Sequence, residues 1–238
     1  DALERDPDSG DARDAMEKLV ANETYRPQAL DVLEPIYEEA GEFAKVVELL
    51  ETRLSTVVDP VERTELLERI ADVHGQQLDA PADALGALGR ALAEDPANAD
   101  LIDRAERLAD ELGRHDELVR LADEVLEGDV PAEAARILGL RCAAWYGEKL
   151  SDVDRAEACL KRVLEVDPEC AEALEGLERI YRVRSDVEDL ARVLAQRAEI
   201  ELDAPRKREL LTEVARLWDD DLADAERAVA AWRAVLEL

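Results

Sequence analysis

Apolar residues recur along this chain at the three- and four-residue spacing of amphipathic helices. In residues 28–40, Leu30, Leu33 and Tyr37 fall on one helical face, with polar residues between them. Gly41 follows, and glycine readily takes the left-handed conformation that closes a helix. The pattern therefore predicts a helix over 28–40 that ends at Gly41.

Three further helices follow before the pattern repeats. They are predicted over 43–57, from Pro60 to about Leu78, and from Pro81 to Pro96. Loops this short make consecutive helices antiparallel, and a helical hairpin must stack on its neighbours to bury its apolar face. The chain is therefore predicted to be an all-α solenoid of hairpins, with about twelve helices and no β-sheet.

The sequence matches itself at a period of about 72 residues, and such internal periods are typical of solenoids. Three columns hold one residue type in every copy: Ala71, Ala143 and Ala215; Ala84, Ala156 and Ala228; Leu92, Leu164 and Leu236. Three repeat units of two hairpins each are predicted over 25–96, 97–168 and 169–238, within one continuous solenoid.

Residues 1–24 do not follow the predicted spacing. Residues 1–7 (DALERDP) are similar to ALAEDP at 91–96, which predicts the tail of a preceding repeat. An additional helix is predicted at about 11–21, and we expect it to interrupt the regular spacing. Its buried stripe is predicted to be Ala12, Ala15, Met16, Leu19 and Val20. The chain is expected to be an excerpt of a longer protein.

The second hairpin of each repeat carries a recognisable order of large, small and aromatic residues. It is Leu67, Ala71, His74, Ala84, Leu88, Ala91 and Pro96 in the first repeat, Gly139, Ala143, Tyr146, Ala156, Leu160, Val163 and Pro168 in the second, and Leu211, Ala215, Trp218, Ala228, Trp232 and Val235 in the third. This order resembles the tetratricopeptide family in a divergent form, with one extra residue between the two helices of the hairpin. The resemblance implies a right-handed superhelical α-α hairpin solenoid, whose first helices line a concave binding face, within a large bacterial repeat protein.

The chain is strongly acidic, with 60 Asp and Glu against 30 Lys and Arg and a net charge of −30. Nucleic acid is excluded as a natural partner, because binding a phosphate backbone requires a positive surface. An anionic membrane surface is disfavoured for the same reason. The charge has two interpretations: a solvated surface, as in a salt-adapted organism, or an acidic groove for a basic partner.

Neither a membrane span nor a secretory signal is predicted. The longest uncharged runs are six residues, far shorter than a membrane-spanning helix. The three cysteines are odd in number and follow no CxxC spacing, so a reducing compartment, the cytoplasm, is expected.

No residue cluster predicts a metal site, a cofactor site or a catalytic site. His74 shares its column with Tyr146 and Trp218, and is therefore predicted to be a packing residue, as is His115. The run from Asp219 to Asp221 lacks the spacing of a calcium loop, and we interpret it as N-cap chemistry at a helix–helix turn. The chain is predicted not to be an enzyme.

The tryptophans and cysteines are also interpreted mainly as core residues. Trp218 and Trp232 share their columns with large side chains, whereas Trp145 is expected to be partly exposed. Cys142 and Cys159 align with small or apolar residues and are predicted to be buried. Cys170 begins a helix and is a candidate for exposure.

The leading functional prediction is a scaffold that binds a protein or peptide along a concave acidic face. The resemblance implies that binding residues lie on the first helix of each hairpin, where some relatives hold a terminal carboxylate with Lys and Asn. The matching positions here are acidic: Asp31, Glu68, Asp72, Asp103 and Glu175. A basic or mixed-charge partner is therefore expected. The alternatives are an architectural spacer without a ligand and, with least support, the regulatory arm of an enzyme.

One ion-pair device is predicted from spacing. Glu34 and Glu178 occupy positions where the family usually has a small residue, and an arginine follows each at the same distance along the chain, Arg53 or Arg197. These positions lie on facing helices of one hairpin. A partly desolvated carboxylate needs a partner, so the pairs are predicted to fix the helix register.

Overall fold

The computed structural model describes residues 10–238, which form thirteen α-helices and no β-strand. The helices are α1 Gly10–Val20, α2 Arg26–Glu39, α3 Phe43–Leu54, α4 Pro60–Asp72, α5 Pro81–Glu94, α6 Ala99–Leu112, α7 His115–Leu126, α8 Ala132–Ala144, α9 Val153–Val166, α10 Ala171–Arg184, α11 Val187–Ile200, α12 Ala204–Arg216 and α13 Ala225–Leu236. The prediction of an all-α hairpin architecture is confirmed. Residues 1–7, predicted to be the tail of a preceding repeat, lie outside the described part.

Local sequence signals set many of the helix ends. The Asp59 side chain accepts hydrogen bonds from the amides of Val61 and Glu62, and Pro60 occupies the first helical position of α4. Gly113, which closes α6, has a φ of +64°, and Ser185 takes a similar φ of +58° after α10. In each case the amide of the left-handed residue donates to carbonyl groups in the last turn of the helix.

A five-residue π-helical turn follows the third helix of each repeat. The turns are Val73–Gln77, Trp145–Lys149 and Leu217–Asp221, so they recur with the period of the sequence. In the first, the Leu78 amide donates to the Val73 carbonyl five residues back, at 3.1 Å. A π turn accommodates one extra residue without breaking the hydrogen-bond ladder. It therefore explains the extra residue in each second hairpin, and the α-helix predicted to run to about Leu78 ends at Asp72.

The chain forms two compact units, and the boundary falls between Leu121 and Ala122, inside α7. In the first unit each of the helices from α1 to α5 packs against the next one, and in the second unit each of the helices from α8 to α12 does the same. Fully buried residues of the two cores include Leu33, Leu67 and Leu85 in the first and Leu138 and Leu174 in the second. The right-handed superhelix and the repeat boundaries stay predictions.

Helix α1 is the additional helix that the sequence predicts at about 11–21. It lies in the register of a fourth helix, one period before α5, and it packs on α2 as α5 packs on α6. Ala12 joins the column of Ala84, and Met16 joins that of Leu88. These columns favour a regular fourth helix over the predicted interruption of the spacing. Within its predicted stripe, Ala15 is exposed and the other four residues are half-buried.

Candidate functional site

Arginine side chains pair with at least four of the five acidic residues predicted to bind a partner. Asp31 and Glu175 each lie 2.8 Å from an arginine, Arg53 and Arg197 respectively. Glu68 and Asp72, both on α4, each lie 2.7 Å from the guanidinium of Arg104 on α6. The fifth residue, Asp103, is exposed on α6. These pairs offset part of the negative charge that the sequence predicts at these positions.

The predicted ion pairs within the first hairpins are confirmed. Glu34 Oε2 accepts a hydrogen bond from Arg53 at 3.1 Å, and Glu178 accepts one from Arg197. Glu34 is 6% exposed, and its second oxygen lies 2.6 Å from Arg69, in an ionic contact outside hydrogen-bond geometry. Each glutamate therefore joins the two helices of its hairpin.

A second ion pair next to these glutamates has its acidic and basic positions swapped between the first and third repeats. In the first repeat Arg69 on α4 donates to Glu38 on α2 at 2.6 Å. The matching pair in the third repeat has the opposite order, because Arg182 on α10 donates to Glu213 on α12 at 2.7 Å. An ion pair is retained although both residues have changed sign. This indicates a structural role for the pair in holding neighbouring hairpins together.

The Arg104 ion-pair triad has an apolar counterpart one period later along the chain. Glu68, Asp72 and Arg104 correspond to Leu140, Ala144 and Gly176, and Glu111 nearby corresponds to Val183. Four charged groups have thus been replaced together by apolar or small ones. Only Leu140 packs against the core, and it is half-buried. Ala144 is also half-buried, Val183 is exposed and glycine adds no side chain.

These replacements give an apolar lining to a groove of about 430 Å³ between α8 and α10, with α9 beneath it. We call it the apolar groove. Its walls and floor are Leu140, Ala143, Ala144, Gly147, Val153, Ala156, Leu160, Gly176, Ile180 and Val183, with Glu148, Glu172 and Arg179 at the rim. The volume is in the range of ordinary ligand sites. Val183 is 86% exposed and Val153 38% exposed, so aliphatic surface here faces solvent.

Glycine at position 176 shapes this groove. A Cβ atom there would lie 2.7 Å from Leu160 Cδ1, closer than carbon atoms approach in practice. The absence of a side chain lets Leu160 reach up beside α10 and form an apolar floor. Arg104 stands at the matching position on α6 and pairs with carboxylates instead.

The charged residues at the rim of the apolar groove are unpaired. Glu148 and Arg179 form no ion pair among residues 10–238, and neither does Glu172, whose one polar neighbour is the Cys170 thiol at 3.6 Å. This differs from the networks around Glu34 and Arg104. The groove therefore offers an aliphatic surface, two free carboxylates and one free guanidinium.

Sequence reasoning missed the apolar groove because it compared the repeats at their core columns. The signal was present in the surface columns, where Asp72 and Arg104 are followed one period later by Ala144 and Gly176. A single apolar residue on a helix surface carries little information, whereas here all three residues of the ion-pair triad have apolar or small counterparts. Geometry was needed to show that these columns lie side by side.

Two buried tyrosines that pair with carboxylates lie outside the groove. The Tyr146 hydroxyl donates to Asp123 at 2.5 Å, and burial together with this bond raises the pKa of Tyr146 to about 12. Tyr37 donates in the same way to Glu17 on α1, and burial raises the pKa of Tyr37 to about 12 as well. Neither hydroxyl is accessible to a substrate, so these are packing contacts.

Two expectations about exposure are wrong. Trp145 is 1% exposed, because it follows Leu138 and Cys142 on the buried face of α8. Cys170 is also buried, although it is the N-cap residue of α10. Cys142 is buried as predicted, and burial raises the pKa of its thiol well above the usual range. Cys159 is half-buried.

The remaining tryptophans, the two histidines and the aspartate run complete the set of candidate residues from the sequence. Trp218 is buried as predicted, and Trp232 is half-buried. His74 is half-buried, and the His115 ring lies 2.7 Å from Asp110. The run from Asp219 to Asp221 lies in a π turn, and the N-cap residue of α13 is Asp224, so the N-cap interpretation of the run is wrong.

Within residues 10–238 no three His, Cys, Asp or Glu side chains are grouped so that they could hold a metal ion. Over the same residues no helix has the length and apolar character that crossing a membrane requires.

Comparison with known proteins finds similar helical structures only. No protein-family model matches the chain, and no curated protein matches it. Similar solved structures include the type IV pilus biogenesis factor PilW, with 21% identity, 89% of this chain and 91% of that chain covered, and a TM-score of 0.39. Another is the C-terminal part of a TPR repeat-containing protein from Cytophaga hutchinsonii, with 16% identity, coverage of 99% and 92%, and a TM-score of 0.42. A third is a tetratricopeptide repeat protein from Parabacteroides merdae, with 21% identity, 88% of this chain and 78% of that chain covered, and a TM-score of 0.36.

At these TM-scores the fold assignment depends on this chain alone. Its helices pair into hairpins, each sequence period holds two hairpins, and its second hairpins carry the Ala columns quoted above. By these features the chain is an all-α helical-hairpin repeat that resembles the tetratricopeptide family.

Proposed function

We propose that this protein is a non-catalytic interaction scaffold that binds a protein or peptide segment, and that the apolar groove is a binding site. The observation that carries the proposal is the replacement of the Arg104 triad by Leu140, Ala144 and Gly176. It exposes aliphatic surface at a place where the preceding repeat carries an ion-pair triad. Fully burying one such side chain is worth about 1.5–3 kcal/mol, so a partner gains affinity by covering the groove.

A concave acidic face remains part of the proposal. Asp31, Glu68, Asp72, Asp103 and Glu175 stay candidate partner-binding residues, although arginines pair with at least four of them. A partner reaching these carboxylates would compete with an arginine already in place. A partner of basic or mixed charge is therefore proposed, and its main anchor is apolar. The three free cysteines are consistent with the proposed cytoplasmic location.

An architectural spacer is the second candidate function. The ion pairs between neighbouring hairpins, such as Arg69 with Glu38, favour it, because they stiffen a helical stack without requiring a ligand. A spacer has no use for an exposed aliphatic groove. The two functions are therefore distinguished by whether the groove binds anything.

The test is a selection of random displayed peptides on the whole chain. Bound peptides are then sorted by their affinity for Val183→Glu and Val58→Glu variants. The two valines are matched in exposure, at 86% and 88%, but only Val183 lines the groove. We expect a consensus sequence that loses binding to Val183→Glu and keeps binding to Val58→Glu. Failure to obtain a groove-dependent consensus would favour the spacer.

A further inference from the structure

We infer that the apolar groove selects a short segment in which neighbouring aliphatic side chains are flanked by lysine or arginine. The inference rests on the proposed function and names the chemistry of the partner. It is carried by the lining of the groove, the unpaired charges at its rim and the comparison with the matching groove between α4 and α6.

The lining selects aliphatic side chains. The exposed contact surface comes from Leu140, Val153, Ile180 and Val183, and no aromatic ring or hydroxyl group lies among the lining residues. The interior thus has no side chain that could hydrogen-bond a polar anchor. A polar group buried there would lose its hydrogen bonds to water without gaining a partner, which weakens binding. An aliphatic anchor has no such cost.

The rim selects basic flanks. Glu148 lies on the π turn and Glu172 in the first turn of α10, so they stand on different elements around the groove. Both carboxylates are unpaired, against the single guanidinium of Arg179. The chain's net charge of −30 adds attraction for a basic segment and repulsion for an acidic one.

The matching groove between α4 and α6 is an internal reference. It is lined by Asp72, Gln76, Arg104, Arg107 and Glu111 among others, with a smaller volume of about 350 Å³. Glu148 corresponds to the neutral Gln76, so a negative charge is gained at the rim of the groove that has become apolar. The apolar lining and the additional rim carboxylate suit the same ligand. The lining contacts its aliphatic side chains, and the carboxylate contacts its basic flank.

The limited volume selects a short segment. About 430 Å³ holds a few side chains, and the groove is closed below by Ala156 and Leu160. An exposed peptide or loop can insert side chains here, whereas a flat protein surface cannot reach the floor. The partner therefore presents a projecting segment rather than a broad face.

The experiment titrates the whole chain calorimetrically with three short synthetic peptides. One has paired leucines flanked by lysines, the second has the same leucines flanked by glutamates, and the third has paired serines flanked by lysines. We expect the first to bind about ten-fold or more tightly than either of the others. Raising NaCl to about 0.5 M should weaken its binding several-fold, because the flanking ion pairs are solvent-exposed.

Variants assign the preference to the groove. Glu148→Gln with Glu172→Gln should weaken the lysine-flanked leucine peptide about three- to ten-fold, as expected for two exposed ion pairs. Ala144→Asp with Val183→Glu, which restores two charged residues of the matching groove, should abolish binding. Val58→Glu is the control, and circular dichroism checks that each variant is folded.

Each contrary result has a separate meaning. Equal binding of both leucine peptides, lost in Ala144→Asp/Val183→Glu, would overturn the basic-flank inference and leave the scaffold function standing. Equal binding of the serine and leucine peptides with lysine flanks would overturn the aliphatic anchor. Binding of none of the three peptides would overturn the inference, and the peptide selection then decides on the scaffold function independently.

Discussion

Glu34 is a buried carboxylate held by two arginines from different helices. Arg53 on α3 donates to one oxygen at 3.1 Å, and Arg69 on α4 lies 2.6 Å from the other. A carboxylate at 6% exposure is costly unless it is paired, so the two guanidinium groups compensate for its desolvation. The spacing along the chain predicted Arg53, whereas Arg69 comes from the next hairpin, which sequence spacing alone does not select.

Removing Arg53 alone, and then Arg53 together with Arg69, should show that both arginines pair with Glu34. Arg53→Ala is expected to lower the free energy of unfolding by about 1–2 kcal/mol, because Arg69 still pairs with Glu34. Arg53→Ala with Arg69→Ala should cost about 3–5 kcal/mol, because the carboxylate is then buried alone. Urea unfolding measures both values. Arg192→Ala is the control, since Arg192 and Glu188 are both more than half exposed. A double variant that costs no more than the control would show that Glu34 is solvated.

Tyr146 should make the protein sensitive to alkali. Burial and the bond to Asp123 raise its pKa to about 12, above the ordinary value of about 10 in an unfolded chain. A raised folded-state pKa gives stability that is complete below pH 10 and is lost as pH rises through about 12. Tyr146→Phe should flatten this loss between pH 10 and 12. Absorbance at 295 nm follows the ionisation, and a titration of this tyrosine near its ordinary value would contradict the burial.

Matching helices in different repeats end with a left-handed residue, but the type of that residue differs. Gly113 closes α6 with a positive φ, whereas the same place after α10 is taken by Ser185, also at positive φ. An L-residue with a side chain loses about 1 kcal/mol or more in this conformation, and glycine does not. The copies therefore differ in stability at the same element boundary.

Exchanging these residues should shift stability in opposite directions. Ser185→Gly is expected to raise the free energy of unfolding by about 0.5–1 kcal/mol, and Gly113→Ala to lower it by about 1 kcal/mol. Gly86→Ala is the matched control, because Gly86 lies inside α5 with open space where a methyl group would stand. It should stabilise by about 0.5–1 kcal/mol, as alanine does within a helix. Thermal unfolding measures all three, and a stabilising Gly113→Ala would refute the cap.

The elements themselves were largely predictable, because helical periodicity and the repeat period are properties of sequence alone. The π turns were not, since one extra residue could have lengthened a loop. They form because the Leu78, Leu150 and Leu222 amides reach carbonyls five residues back, at about 3 Å, and keep the ladder intact. The register of α1 was predictable from Ala12 and Met16, once the Ala84 and Leu88 columns were extended backwards.

At the scale of the molecule, the apolar groove could not be read from any single repeat. Leu140, Ala144 and Gly176 are ordinary residues for a helical chain, and only their contrast with Glu68, Asp72 and Arg104 marks them. The contrast becomes meaningful when the structure shows that Arg104 joins the two carboxylates across adjacent helices. Packing positions are fixed by periodicity within a helix, whereas surface sites depend on which helices become neighbours.

The net charge of the whole chain predicts how its unfolding temperature depends on salt. Sixty acidic residues cannot all be paired by thirty basic ones, so the ion pairs described above leave an excess of thirty negative charges. These repel one another more in the folded protein than in an extended chain, and salt screens that repulsion over about 8 Å at physiological strength. The temperature of unfolding should therefore rise as NaCl is added up to a few tenths molar.

Calorimetry at low protein concentration measures this effect, and KCl should act like NaCl if screening is the cause. Salt also weakens exposed ion pairs such as Arg192 with Glu188, but each contributes only about 0–1 kcal/mol. The net repulsion of thirty uncompensated charges is expected to outweigh that loss. An unfolding temperature that stays flat or falls with either salt would show that the arginine networks already balance the acidic residues locally.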